Sequence, residues 1–407
     1  MLIKVYQSER GEITFQAHKI KAQIDPTMNT ICAQRHPIQQ AVAYPVEFCF
    51  HAPRHGELMA KTPKISRLSQ TALSVLDLAH VRQGGAATEA FQRALDLAQH
   101  VERWGYKRFW LAEHHNIAGV ACSATSVLIS HIAAGTSRIR VGSGGIMLPN
   151  HAPLVIAEQF GTLEALYPGR IDLGLGRAPG GDFAVSRALR RGLNSTGDDY
   201  PDLLAELRSY LAKPVPGQTV RAFPGADTNI PIWLLGSSDF SAQLAGELGL
   251  PFAFAAHFQP EGMLEAFQLY RSSFRPSAQL AGPYTMAGLP VLVAETDAQA
   301  KYLATTAQQM FLNMIRNRSV GLVPPVEHMD WNAFEEAAVA SRFRAAIIGS
   351  PQMVQKKLEE FLEETQVDEL MVVANTYEHA DRLRSYELLA ELAGIDDTIE
   401  SAAEVRL

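Results

Sequence analysis

From Thr71 onward, short apolar runs recur along the chain, and each is followed by a stretch with helical apolar spacing. The runs are Thr71–Leu78, Arg108–Ala112, Ile139–Met147, Ile171–Leu175, Ile230–Leu235, Pro251–Ala255, Met286–Ala294 and Glu369–Val373. None alternates apolar with polar positions, which is the pattern of strands buried on both faces of a parallel sheet. Helical spacing covers Thr88–Arg103, with Thr88 as candidate N-cap, then Ser123–Ala134, Pro153–Leu166, Phe240–Leu248, Gly262–Phe274 and Pro351–Thr365. Eight strand-then-helix units predict an α/β fold, the (β/α)8 TIM barrel. The competing arrangement is an open doubly wound sheet, which usually shows fewer strands or a dinucleotide fingerprint. Two insertions interrupt the pattern, Asp182–Asn229 and Arg316–Ala340, the second with Pro324-Pro325. Loops of that length in a compact domain are usually lids, binding loops or interface elements.

Residues 1–66 follow a different grammar. They show no sustained helical or strand period, hold four of the 13 histidines and two of the three cysteines, and carry a net charge of +3. A floppy or loosely docked N-terminal extension is expected there, or a natural start further along, for instance at Met59. The barrel is expected over 67–407.

Composition narrows the function. The 407 residues are 47% hydrophobic and 19% charged, ordinary for a soluble globular chain with a large core. A net charge of −7 argues against a general nucleic-acid binder, because phosphate neutralisation needs clustered Lys and Arg. Cys32, Cys49 and Cys122 are too few and too scattered for a disulfide framework, so a reducing cytoplasm is the expected setting. No apolar run reaches the length of a membrane span.

Four constellations fall where strands should end, the place a barrel keeps its chemistry. Trp110-Leu-Ala-Glu-His-His-Asn116 turns polar at the end of the second strand. Consecutive histidines on an extended chain point to opposite sides, so one of His114 and His115 aims into the mouth. The same geometry disfavours a metal-dependent hydrolase, in which alternate histidines converge on one ion. A neutral imidazole there suits an acid, a base or a hydrogen-bond donor; the plainer reading is capping of the strand. Val141-Gly-Ser-Gly-Gly-Ile-Met-Leu-Pro-Asn-His151 places glycines inside a strand, which marks a bulge or the close approach of a ligand. Gly144-Gly145 offers bare backbone to a flat ring. Leu173-Gly-Leu-Gly-Arg-Ala-Pro-Gly180 is a poor dinucleotide turn, with Pro179 where the last glycine belongs. Arg177 suits a bidentate phosphate clamp, or a surface ion pair. Trp233-Leu-Leu-Gly-Ser-Ser-Asp-Phe240 breaks a strand at Gly236 and opens a helix with Ser237 and Ser238, which suits an anion or simple N-capping.

With these motifs in view, the chain resembles the bacterial luciferase-like flavin monooxygenases, most closely their YhbW-like branch. Ala157-Glu-Gln-Phe-Gly-Thr-Leu163, Tyr167-Pro-Gly-Arg-Ile-Asp172, Pro231-Ile-Trp233 and Ile348-Gly-Ser-Pro-Gln352 extend the likeness from about Ala72 to Ala393. The resemblance implies a luciferase-like barrel that binds FMN, supplied reduced by a separate flavin reductase, and uses dioxygen to oxygenate a small organic substrate through a C4a-peroxyflavin. It places His114 over the flavin, with Glu113 and His115 completing the motif, and a non-prolyl cis peptide at Gly144-Gly145 beneath the ring. Arg177, Ser237 and Ser238 fall on phosphate positions. Luciferase has alanines at the glycine pair and at Ser238, so those positions depart from its pattern. A homodimer is the family expectation. Two other readings share the fold: a deazaflavin-dependent oxidoreductase, and a non-catalytic flavin-binding protein.

Overall fold

Apolar runs without alternation need cover on both sides, and a closed barrel ringed by helices provides it. In the computed structural model, eight parallel strands close in the order β7-β8-β1-β2-β3-β4-β5-β6 and back to β7. They are β1 Ala72–Asp77, β2 Arg108–Leu111, β3 Arg140–Ser143, β4 Ile171–Gly176, β5 Ile232–Gly236, β6 Phe252–Phe254, β7 Thr285–Val293 and β8 Glu369–Val373. Neighbouring registers include Val75 with Phe109, Leu111 with Ser143, and Gly176 with Leu235. The structure describes residues 66–178, 183–189, 199–318 and 320–395, together with the paired strands Tyr6–Gln7 and Ile13–Thr14.

The chain divides into two compact units, 1–61 and 62–407. In the first, the described part is that antiparallel pair alone; the extension expected over 1–66 otherwise lies outside the described residues. The second unit is the barrel with its helices. Among the described residues no helix is long and apolar enough to cross a membrane.

Helix α1, Ala87–Arg103, buries Ala90, Ala94, Leu97, Ala98 and Val101, one stripe at helical spacing. Its N-cap is Ala86, so Thr88 lies inside the first turn rather than capping it. The run expected as one strand over 139–147 is split at Gly144-Gly145: Arg140–Ser143 pairs with β2 and β4, while Ile146–Met147 pairs with β4 alone. A further short strand, Ile347–Gly349, lies outside the barrel beside Val291–Val293.

The barrel interior is partly ionic. Arg108 donates to Asp172 at 2.7 Å and to Glu369 at 2.8 Å, and Tyr284 donates to Glu369 at 2.8 Å. Burial opposes the Arg108 charge, but the two carboxylates outweigh it and raise its pKa. The indole of Trp110 meets Trp233 edge-on at 5.2 Å, and Trp233 meets Tyr284 at 5.6 Å. Arg108, Asp172, Tyr284 and Glu369 join the starts of β2, β4, β7 and β8, the end of a barrel that serves stability rather than chemistry.

The described parts of both insertions are built into the fold. The first contributes Phe183–Leu189 and Tyr200–Leu211, whose Tyr200, Leu204 and Leu207 are buried. The second crosses the loop after β1, where Leu322 N–H donates to Val81 and its carbonyl accepts from Gln83.

Candidate active site at the strand ends

Two residues past the end of β2, the Glu113 carboxylate lies buried at the barrel mouth, 1% exposed. It gathers donors from two segments. His115 Nε2 donates to one oxygen at 2.9 Å and Asn150 Nδ2 at 3.2 Å, the Met147 N–H donates to the other at 2.9 Å, and His151 Nε2 spans both at 2.9 and 3.0 Å. Burial alone would raise its pKa, but the hydrogen bonds from His151, His115 and Met147 prevail and hold it below the usual value. Glu113 thus ties the end of β2 to the segment after the glycine pair. His151 and Asn150 were not singled out by the sequence; both stand in the Leu148-Pro-Asn-His151 run, whose convergence on Glu113 only the fold reveals.

The two adjacent histidines separate, as an extended chain requires. His115 joins the Glu113 group, whereas His114 lies near enough to His80 and His257 for their charges to interact. Burial, then Arg382, lowers the His80 pKa to about 4; burial, then Arg342, does the same for His257. Both rings are therefore neutral near pH 7. A Cβ on Gly288 of β7 would stand 2.6 Å from His257 Nδ1, so the absence of a side chain there makes room for the imidazole. The buried Cys122 thiol is pushed up to about 12, first by burial and then by Asp77.

Between β3 and β4 the backbones touch. The Gly144-Gly145 peptide is cis. A Cβ on Gly144 would meet Leu76 Cδ1 at 2.8 Å, and one on Gly145 would meet the Gly174 carbonyl oxygen at 2.8 Å. The backbone contact makes glycine at 145 a packing requirement, whatever else it serves.

Arg177 follows β4 directly, and its guanidinium lies 4.4 Å over the Phe240 ring. Phe240 is the second residue of the helix Asp239–Leu248, so the cation stands at that helix's N-terminal end. Among the described residues Arg177 has no carboxylate partner. Ser238 is the helix N-cap, yet its side chain makes no capping hydrogen bond; Ser237 beside it is half-buried. A cation, unspent hydroxyls and free helix N–H groups form a donor set for an oxyanion. Pro179 and Gly180 lie outside the described residues.

The sequence and the barrel match a known class. A family description, luciferase-like monooxygenase, fits residues 71–389, and the chain belongs to that family. It is 58% identical to the Bacillus subtilis protein YvbT over 79% of this chain and 96% of that one. It is 48% identical to a luciferase-like monooxygenase of Escherichia coli, again over 79% of this chain and 96% of the relative. Among solved structures, apo-MsnO8 aligns with TM-score 0.72 and 36% identity, covering 80% of this chain and 99% of that one. Two more distant structures share the fold alone. One is the oxygenating constituent of 3,6-diketocamphane monooxygenase in complex with FMN (TM-score 0.61, 16% identity, 80% and 98% coverage). The other is an F420-dependent secondary alcohol dehydrogenase with an F420-acetone adduct (TM-score 0.60, 13% identity, 80% and 99% coverage).

Proposed function

We propose that this chain is an FMN-dependent monooxygenase that takes reduced FMN from a separate flavin reductase and uses dioxygen to oxygenate a small organic molecule. The observation that carries the reading is the unspent donor set of Arg177 and Ser238 at the start of Asp239–Leu248. Family membership supports an oxygen-using enzyme, and a 31%-identical relative is an N-acetyl-S-alkylcysteine monooxygenase of Bacillus subtilis.

Bound reduced FMN would supply the electrons for oxygen activation. Arg177, Ser237, Ser238 and the helix N–H groups would hold its phosphate. Gly144 and Gly145 present backbone without side chains to the ring, and Leu76 and Ile146, both buried, help keep water from the site. His114 is the candidate catalytic residue: an imidazole nitrogen that donates a hydrogen bond at the reacting oxygen and passes a proton to it. Glu113, His115 and His151 are positioning residues that fix the strand end on which His114 stands.

The fold also accommodates deazaflavin enzymes, so the test is cofactor choice. FMN, riboflavin and a deazaflavin are titrated into the wild type and Arg177→Ala. Wild type should prefer FMN, and Arg177→Ala should weaken FMN by about ten- to a hundredfold while leaving riboflavin unchanged, the loss of one charge-assisted contact of about 1.5–3 kcal/mol. Equal losses for both flavins, or tighter binding of the deazaflavin, would overturn the assignment.

A further inference from the structure

The second insertion returns to the barrel through the helix Ala333–Arg342. Arg342, the last residue of that helix, donates through Nη1 to the carbonyl of Phe258, in the turn that follows β6. Its guanidinium lies over the Phe258 ring at 5.1 Å and over the Phe311 ring, on the helix Asp297–Ile315, at 5.5 Å. Rings stacked on a guanidinium take its faces and leave its N–H edges to acceptors. Beyond the bond to Phe258, the Arg342 N–H groups have no hydrogen-bond partner among the described residues, and none of the rest is shut away from solvent. The Nε–Nη2 edge therefore offers two parallel N–H groups, the geometry that matches the two oxygens of one carboxylate.

An acid is what this cation lacks. Arg316 pairs with Glu335 and Arg344 with Glu261, and the buried Arg108 and Arg382 stand beside carboxylates as well. Among the described residues no carboxylate lies within ion-pair distance of Arg342. Burial lowers its pKa with no acid to offset the penalty, yet a guanidinium stays charged near pH 7. A desolvated charge without a partner is costly, and one held near a barrel mouth marks a place for an anion brought by a ligand. Phe258 beside it is 63% exposed, so a large apolar face is open at the same spot. The candidate chemistry is close by. Arg342 and His114 both act on the charge of His257, the residue before Phe258, so the cation and the candidate catalytic histidine are near one and the same imidazole.

We propose, on the basis of the monooxygenase function above, that Arg342 sets the substrate class: the molecule oxygenated is an organic carboxylate. Its carboxylate accepts from the Nε–Nη2 edge of Arg342, its apolar part covers Phe258, and its oxidisable end reaches toward His114. A neutral amide of the same shape brings one acceptor and no charge, and binds the edge poorly. Arg342 stands with β6 and the second insertion, whereas Arg177 and Ser238 follow β4 and β5, so the substrate cation is a different residue from the proposed flavin-phosphate donors.

The test is isothermal titration of the full chain at pH 7.5, with and without saturating FMN, using matched pairs of acid and amide: hydrocinnamate, hexanoate and benzoate, each against its own amide. At least one carboxylate should bind about tenfold or more tighter than its amide, the difference made by a charge-assisted contact. Arg342→Met should bring that ratio to about one with FMN affinity unchanged, and Arg342→Lys, which keeps the charge but not the fork, should leave a smaller preference. A merely structural arginine would not move the ratio, and Arg342→Lys alone decides if Arg342→Met fails to fold. Arg177→Ala should leave the ratio intact. No preference in any pair, a ratio undiminished in the Arg342 variants, a preference lost in Arg177→Ala, or FMN affinity lost together with the carboxylate in Arg342→Met would overturn the proposal. If the chain binds no FMN, the flavin reading fails by itself; an Arg342-dependent preference in the FMN-free titration would still support the carboxylate seat, and its absence would overturn it.

Discussion

Glu113→Gln is the substitution that tests how the barrel mouth is held together. The amide keeps one acceptor oxygen and replaces the other by a donor. With its oxygen toward His115 and Asn150, its NH2 faces the Met147 N–H; reversed, it faces His115 and Asn150. Either way a buried donor meets a donor, and the remaining bonds lose the help of the carboxylate charge. An orphaned buried N–H costs about 1–3 kcal/mol and each charge-assisted bond contributes about 1.5–3 kcal/mol, so the variant should lose about 2–4 kcal/mol. For a cooperative unit of this size that lowers the Tm by about 3–6 °C. The effect should also depend on pH with a defined sign. Because the folded state holds the Glu113 pKa below the ordinary value of about 4.3, its contribution is complete above that value and fades as pH falls through the folded pKa. The Tm gap between wild type and Glu113→Gln should stay constant from pH 8 to 6 and narrow only as pH falls below about 4.3, measured by thermal denaturation across buffers. A gap under about 1 °C at pH 7, or one that persists unchanged at the acid end, would refute the reasoning.

Two further outcomes are expected. We propose that the unit 62–407 folds by itself, because the family match begins only at residue 71; a chain starting at Met59 should melt and bind FMN as the full chain does. A clear drop in Tm or loss of FMN would make the extension structural. His114→Ala should keep its FMN affinity while turnover of an accepted substrate falls about 10²–10⁴-fold and more hydrogen peroxide is released, since a positioned acid or base is lost and the cofactor contacts are not. Wild-type turnover and coupling in that variant would leave His114 a structural residue.

The eight barrel strands were legible because burial on both faces makes each an unbroken apolar run, and the helices because their stripes recur at 3.6 residues. Ile347–Gly349 was missed as a strand because three residues set no period, and it lies outside the closed barrel. The break at Gly144-Gly145 was visible as glycine within a strand, but its contact with the Gly174 carbonyl is a property of neighbouring β4. The site divides in the same way. Glu113, His114, His115, Arg177, Ser237 and Ser238 stand at strand ends within readable motifs. His80 and His257 are isolated in the chain, and His151, although it closes the Val141–His151 motif, meets Glu113 only in the fold. Arg382 lies far along the chain from Asp77, with which it pairs across the β8–β1 seam, and no local pattern announces such a pair.

The central claim, that this barrel binds reduced FMN and directs its reaction with dioxygen, is tested most directly by loading the protein anaerobically with reduced FMN and then mixing it with oxygen while recording absorbance. The account predicts that reduced FMN binds, that a long-lived species absorbing in the near ultraviolet precedes oxidised FMN, and that hydrogen peroxide appears only as that species decays. Failure of reduced FMN to bind, or immediate oxidation at the rate of free flavin, would contradict it.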